Sequence, residues 1–127
     1  MRKEIVSLIL EKDGKILVEK RKKSKKTSPG AIIFPAGHIN EGESKKEALI
    51  REMKEELGID IVNPKLIYDA ELDVEEKEKI SWFRCEDFKG SIVKNEAEEL
   101  KWIDPSENGI LTHEVSREAL FKFLKNY

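Results

Sequence analysis

At 127 residues the chain has the length of one ordinary domain with room for a real core. Its formal charge of −2, from 24 basic and 26 acidic side chains, argues against a protein that coats nucleic acid. A single cysteine, Cys85, excludes an intrachain disulfide framework and a cysteine metal cluster and suits a reducing cytoplasm, and no apolar stretch is long enough to span a membrane.

The charged start Met1-Arg2-Lys3-Glu4 and the apolar run Ile5 to Leu10 have the outline of a signal peptide. The run is short, however, meets Glu11-Lys12-Asp13-Gly14 at once and lacks a small-residue cleavage site, so it reads as the first strand. Ile5 to Glu11 and Lys15 to Arg21 flank Asp13-Gly14, a strong hairpin signal. The basic stretch from Lys20 to Gly30 follows as a loop whose lysines are read chiefly as a solvated tip. Gly30 to Phe34 reads as a short buried strand, and Pro35-Ala36-Gly37-His38 as the turn toward a helix.

That helix is marked at both ends. Ser44 with Glu47 three residues on forms a capping box, and Gly58 stands where a left-handed C-terminal cap is wanted. At about 100° per residue, Glu52, Glu55 and Glu56 share one face and look along the helix edge as exposed carboxylates. Leu49, Ile50, Met53 and Leu57 form the neighbouring apolar arc, and Lys54 points to solvent. Like charges on one face destabilise a helix by a few tenths of a kcal/mol per pair. A hard divalent cation, Mg²⁺ or Mn²⁺, would offset this, being held by a few carboxylates together with substrate phosphates. Taken alone, such a run is more often an ordinary solvated helix.

Beyond the helix, Leu66, Tyr68, Ala70 and Leu72 alternate as a half-buried strand, and Val74 to Lys79 is a charged turn. Ile80 to Phe88 reads as the next strand, with core Cys85 and with Trp82 and Phe83 on opposite faces; at least one of these aromatics is core, the other a candidate to stack on a base. Trp102 reads as a core anchor, and Thr112 as the cap of a last helix, His113 to Lys125, with Val115, Ala119, Leu120, Phe123 and Leu124 on its apolar stripe. His113 has no spaced partner and reads as structural. The element order makes an α/β fold with a mixed sheet, and without repeat or linker the whole of 1–127 reads as a single domain.

Read whole, Gly37, Glu43 and Arg51-Glu52-Met53-Lys54-Glu55-Glu56-Leu57-Gly58-Ile59 resemble the Nudix box, G-x5-E-x7-R-E-U-x-E-E-x-G-U, at every specified position. Pro35-x-Gly37 resembles the P-x-G that commonly opens it. The resemblance implies the Nudix α/β/α sandwich with a mixed central sheet. It also implies Mg²⁺ (or Mn²⁺) held by the Gly37 carbonyl, Glu55 and Glu56, with Glu52 as a further ligand or the general base and Glu43 supporting or joining the site. By the same resemblance Arg51 orients a glutamate, Arg21 touches a phosphate, and Glu96, with Glu98 and Glu99 as rivals, is a further carboxylate or the base. His38 ranks low as a phosphate contact.

The implied reaction is cleavage of a phosphoanhydride in a nucleoside diphosphate linked to another group. In relatives acting on ADP-ribose a proline, and in those acting on dinucleoside polyphosphates a tyrosine, often follows the box where this chain has Glu75-Glu76-Lys77. This favours a pyrophosphohydrolase of (modified) nucleoside triphosphates. The competitors are an ADP-ribose, nucleotide-sugar or dinucleoside polyphosphate hydrolase, and a non-catalytic nucleotide-binding module, which would be expected to have lost a box glutamate. The partners expected are a small nucleotide and, as in many relatives, a second copy of the chain. A calcium loop in Glu71 to Glu78 fails on spacing.

Overall fold

A computed structural model describes residues 3–73 and 75–126. Met1, Arg2 and Val74, the last being the start of the expected charged turn, lie outside them. Strand β1 (Lys3–Lys12) turns at Asp13 and Gly14, with φ of 53° and 78°, into β2 (Lys15–Lys20). Positive φ at both turn residues matches the twist of the flanking strands, as the Asp-Gly pair requires.

The expected buried strand from Gly30 to Phe34 shrinks to β3 (Ile32–Ile33), and the expected turn at 36–38 is instead a strand, β4 (Ala36–His38). The reason lies at Pro35, which has no N–H to donate to a ladder. There the chain leaves β2, which pairs with β3, and joins β1, which pairs with β4 through Val6 and Gly37. Leu8 N–H bonds the Pro35 carbonyl at 2.9 Å. β1 thus meets β2 only near the hairpin and β4 further back, and the two halves of the sheet part around this crossing.

Helix α1 (Lys45–Leu57) has the expected capping box, closed by Glu47 N–H to Ser44 Oγ at 3.1 Å and Ser44 N–H to Glu47 Oε1 at 2.9 Å. Gly58 ends it at φ 72°, its N–H on the Lys54 carbonyl. Leu49, Met53 and Leu57 are buried, but Ile50 is exposed, because the arc that meets the sheet is narrower than the apolar arc of the helix. Three such side chains contribute roughly 1.5–3 kcal/mol each on burial, which outweighs the like-charge cost of the glutamates.

After the short β5 (Asp60–Ile61), β6 (Lys65–Asp73) and β7 (Lys77–Cys85) form an antiparallel pair, and β7 runs parallel to β1. A bulge between Leu66 and Tyr68 resets the side-chain phase, so Leu66 is exposed while Ile67 and Tyr68 both face the core side. The strand expected to reach Phe88 stops at Cys85, and β8 (Phe88–Lys89) pairs with β5. β9 (Glu99–Ile103) joins β2. A 3₁₀ turn (Pro105–Ile110) then leads to α2 (Glu114–Asn126). Thr112 does not cap α2 as expected; its Oγ1 accepts the Ile32 N–H at 2.8 Å and ties β3 to the approach of α2.

The sheet separates two cores. Val6, Leu8, Leu10, Leu17, Phe83 and Cys85 meet α1 on one face, while Ile5, Ile9, Ile16, Val18, Ile80 and Trp82 meet α2 on the other. This is the α/β/α layering. Trp82 and Phe83 are both core, at 2 % and 3 % exposure, and Trp82 in addition lines a cleft. Trp102 is only partly buried, and Leu124 is exposed.

Candidate active site

Where the two halves of the sheet part, a cleft of about 290 Å³ opens between α1, β2, β4, β7 and the start of α2. One end is acidic. Glu52, Glu55 and Glu56 of α1 line it together with Glu19 of β2, Glu96 and the backbone of Gly37. Gly37 is placed by its pairing with Val6, and a Cβ there would overlap the Glu52 carboxylate. Only glycine allows this approach.

Arg51 organises the α1 carboxylates. Its Nε donates to Glu43 Oε2 at 2.7 Å and its Nη2 to Glu43 Oε1 at 2.9 Å, a two-pronged pair. Nη1 reaches Glu52 Oε1 at 3.0 Å and Glu55 Oε2 at 3.2 Å, and Nη2 also bonds the His38 carbonyl at 2.9 Å. Glu43 accepts in addition from Asn40 N–H, and these bonds hold its carboxyl below the usual range. Glu43 does not line the cleft; both its oxygens serve Arg51.

Glu56 is not an exposed edge carboxylate, as the helical wheel suggests, but 5 % exposed against Glu19, itself 5 % exposed. Burial, then the charge of Glu19, pushes Glu56 up to about 10, and Glu19 is likewise raised by burial. One oxygen, Glu56 Oε2, is fully buried with no hydrogen-bond partner among the described residues. Buried carboxylates are ordinarily paired, hydrogen-bonded or bound to a metal. The orphan oxygen beside a second buried carboxylate, in a cleft that Glu52, Glu55 and Glu96 also line, fits a divalent cation. Among the described residues, no three acidic or histidine side chains already stand at metal-holding spacing. Glu52 is raised by burial, against the pull of Arg51.

Glu96 reaches the cleft through local stitching. Val93 N–H bonds the Leu57 carbonyl at 2.9 Å and Asn95 Nδ2 bonds the Glu55 carbonyl at 2.8 Å, satisfying the open end of α1, while Glu98 N–H holds the Lys20 carbonyl. Glu96 is thereby set in the cleft wall, whereas Glu98 and Glu99 do not line it. Glu19 was absent from the sequence-based candidates. Its signal is a lone acid in phase with Leu17, on the α1-facing side of β2 and directly after the apolar run Ile16 to Val18.

Arg21 lines the cleft beyond the acids, steadied by Nε to the Thr27 carbonyl at 3.0 Å and Nη2 to Thr27 Oγ1 at 3.2 Å. Lys25 lies on the same wall, and His38 also lines it. His113, read as structural, has its Nε2 at 3.0 Å from Ser28 Oγ, and burial lowers its pKa.

The Nudix domain family matches residues 1–126. The chain belongs to the Nudix hydrolase family. It is 31% identical over 105 residues to the CTP pyrophosphohydrolase of Escherichia coli K12, covering 82% of this chain and 77% of that one. Over 51 residues it is 45% identical to the ADP-ribose pyrophosphatase of Methanocaldococcus jannaschii, covering 40% of this chain and 29% of the other. The crystal structure of a MutT Nudix hydrolase from Burkholderia pseudomallei superposes with a TM-score of 0.87 at 23% identity, covering 96% of this chain and 98% of that one, and so shares its fold. This Nudix hydrolase carries its box from Gly37 in β4 through a loop and α1 to Gly58 and Ile59. Among the described residues, no helix is long and apolar enough to cross a membrane.

Proposed function

We propose that this Nudix hydrolase is a divalent-cation-dependent pyrophosphohydrolase of nucleoside triphosphates, modified ones included. The observation that carries the reading is the buried, partnerless Glu56 Oε2 at the acidic end of a cleft that runs on past Arg21. Among the described residues, six glutamates line the cleft against one arginine and one lysine, so a polyphosphate would be repelled without a cation between them. Glu55, Glu56, Glu52 and the Gly37 carbonyl are the groups to hold Mg²⁺ or Mn²⁺, with Glu43 supporting them through Arg51. The ion, when bound, neutralises phosphate oxygens and makes a water more acidic.

The chain's own residues do the rest. Glu52, whose proton affinity is raised by burial, is the first candidate to take the proton of the attacking water, with Glu96 as the rival. Arg21 and Lys25 face the phosphates. Arg51 acts at one remove by aiming Glu52 and Glu55. Arg51→Lys, which keeps the charge but loses the fork, is expected to lower kcat by about 10–100-fold with a much smaller change in KM, read from steady-state kinetics. Unchanged kcat would remove the orienting role.

The CTP pyrophosphohydrolase relative, matched over most of both chains, supports a triphosphate substrate; the ADP-ribose pyrophosphatase match spans the smaller part. All box glutamates are present, which speaks against a non-catalytic module. The test is phosphorus NMR of products from a panel of nucleoside triphosphates, ADP-ribose, nucleotide sugars and dinucleoside polyphosphates, with Mg²⁺, Mn²⁺ or EDTA. Pyrophosphate and nucleoside monophosphate from triphosphates, with none in EDTA, is the expected result; cleavage of ADP-ribose with triphosphates intact would replace the reading.

A further inference from the structure

The cleft continues beyond its carboxylates over the sheet face that α2 covers. Glu78, Ile80 and Trp82 alternate on that side of β7, beside Ile5 and Ser7 of β1, which pair with Ile80 and Trp82. Leu72, Ile33 and Val115 add aliphatic walls. Strand register orders this space. Gly37 of the acidic end pairs with Val6 of β1, whereas Glu78 pairs with Lys3, three residues away along the same strand. Arg21 lines the cleft together with both Glu19 and Glu78.

Glu78 is 7 % exposed, and the influences on it are burial and charges, not hydrogen bonds to described residues. Burial raises its pKa above the ordinary carboxylate value, while the charge of Arg21 pulls the other way, toward the ionised form that only accepts. A carboxylate so desolvated, facing a cleft with aliphatic walls, invites a donor from outside the chain. With phosphates at Arg21, the base is the part of a nucleotide left to occupy the rest of the cleft, where Glu78 lies.

We propose that Glu78 reads the nucleobase, accepting hydrogen bonds from the exocyclic NH₂ of cytosine or adenine, or from the N1–H and NH₂ of guanine, and disfavouring uracil and thymine, which place the O4 carbonyl where cytosine places its NH₂. This rests on the nucleotide reading above. The physical basis is that an acceptor opposed to an acceptor leaves both desolvated and unpaired, while a donor edge satisfies the carboxylate.

Calorimetric titration of CMP, AMP, GMP, UMP and dTMP into the intact protein, wild type, Glu78→Leu and Glu78→Gln, tests this. Wild type should bind at least one amino-bearing monophosphate about tenfold or more tightly than UMP and dTMP. Glu78→Leu should close that gap to within about threefold, and Glu78→Gln, whose amide can donate, should shift it toward UMP. Equal binding of all five to wild type, binding of none, or a preference that survives in both variants would overturn the assignment. The readout needs no turnover, so a failure of the hydrolase reading, seen by phosphorus NMR, is scored separately.

Discussion

Glu56→Gln is expected to abolish cation-dependent turnover and, in EDTA near neutral pH, to raise the melting temperature. Loss of the ligand oxygen should lower kcat by about 10²–10³-fold or more. The gain in stability follows from burial: Glu19 and Glu56 are each 5 % exposed, so in the cation-free fold a second negative charge there is disfavoured, and a neutral amide removes it while keeping a donor for Glu19. Glu55 is more than half exposed, so Glu55→Gln should lose activity with the melting temperature nearly unchanged.

The same burial sets a pH dependence. Glu56 has an ordinary value of 4.5 and is raised to about 10 in the fold. Below 4.5 both folded and unfolded chains carry the proton and nothing is lost. As pH rises from there toward 10, the unfolded chain releases the proton while the fold retains it, so stability falls with pH across that window. Scanning calorimetry in EDTA should show wild type losing melting temperature from about pH 5 to about pH 9, with a flatter profile for Glu56→Gln. Added Mg²⁺ should raise the wild-type value, as any ligand of the folded state does, and leave the variant unmoved. A variant that melts lower than wild type at pH 8, or that turns over at full rate, would break the link between burial and cation binding.

Gly37→Ala is expected to remove most activity through a single methyl group. The new Cβ would occupy the space of the Glu52 carboxylate, and the atoms it meets are the end of a flexible side chain, not backbone. β4 can therefore stay paired with β1, and the melting temperature should change little, since alanine in a strand costs less chain entropy than glycine. Glu52 must swing off Arg51, losing both its aim and its place beside the Gly37 carbonyl. We expect about a 10²-fold fall in kcat. The melting curve and Mn²⁺ affinity by titration separate this from unfolding: an intact fold with weakened Mn²⁺ binding supports the geometry, and wild-type kcat contradicts it.

The features legible in the chain are those decided by neighbours in sequence. Asp13-Gly14 specifies its hairpin, Ser44, Glu47 and Gly58 bound α1, and strand alternation puts Trp82 and Phe83 on opposite faces. The errors arise where distant segments intervene. Ile50 and Leu124 are apolar but outside the contact made by their helices, the β6 bulge exposes Leu66, and β4 exists because β1 offers an edge that the turn-like residues 36–38 can join.

By itself, the sequence determined the helix and the spacing of Arg51, Glu52, Glu55 and Glu56 along it, since i, i+3 and i+4 relations are properties of the helix alone. It also determined the family through the same spacing. Only the tertiary structure decided which acid is buried, because Glu19 meets Glu56 across the sheet–helix interface, and that Glu78 lines the same cleft, because the parallel pairing of β7 with β1 brings it there. Desolvation depends on everything packed around a group, and local spacing carries no record of it.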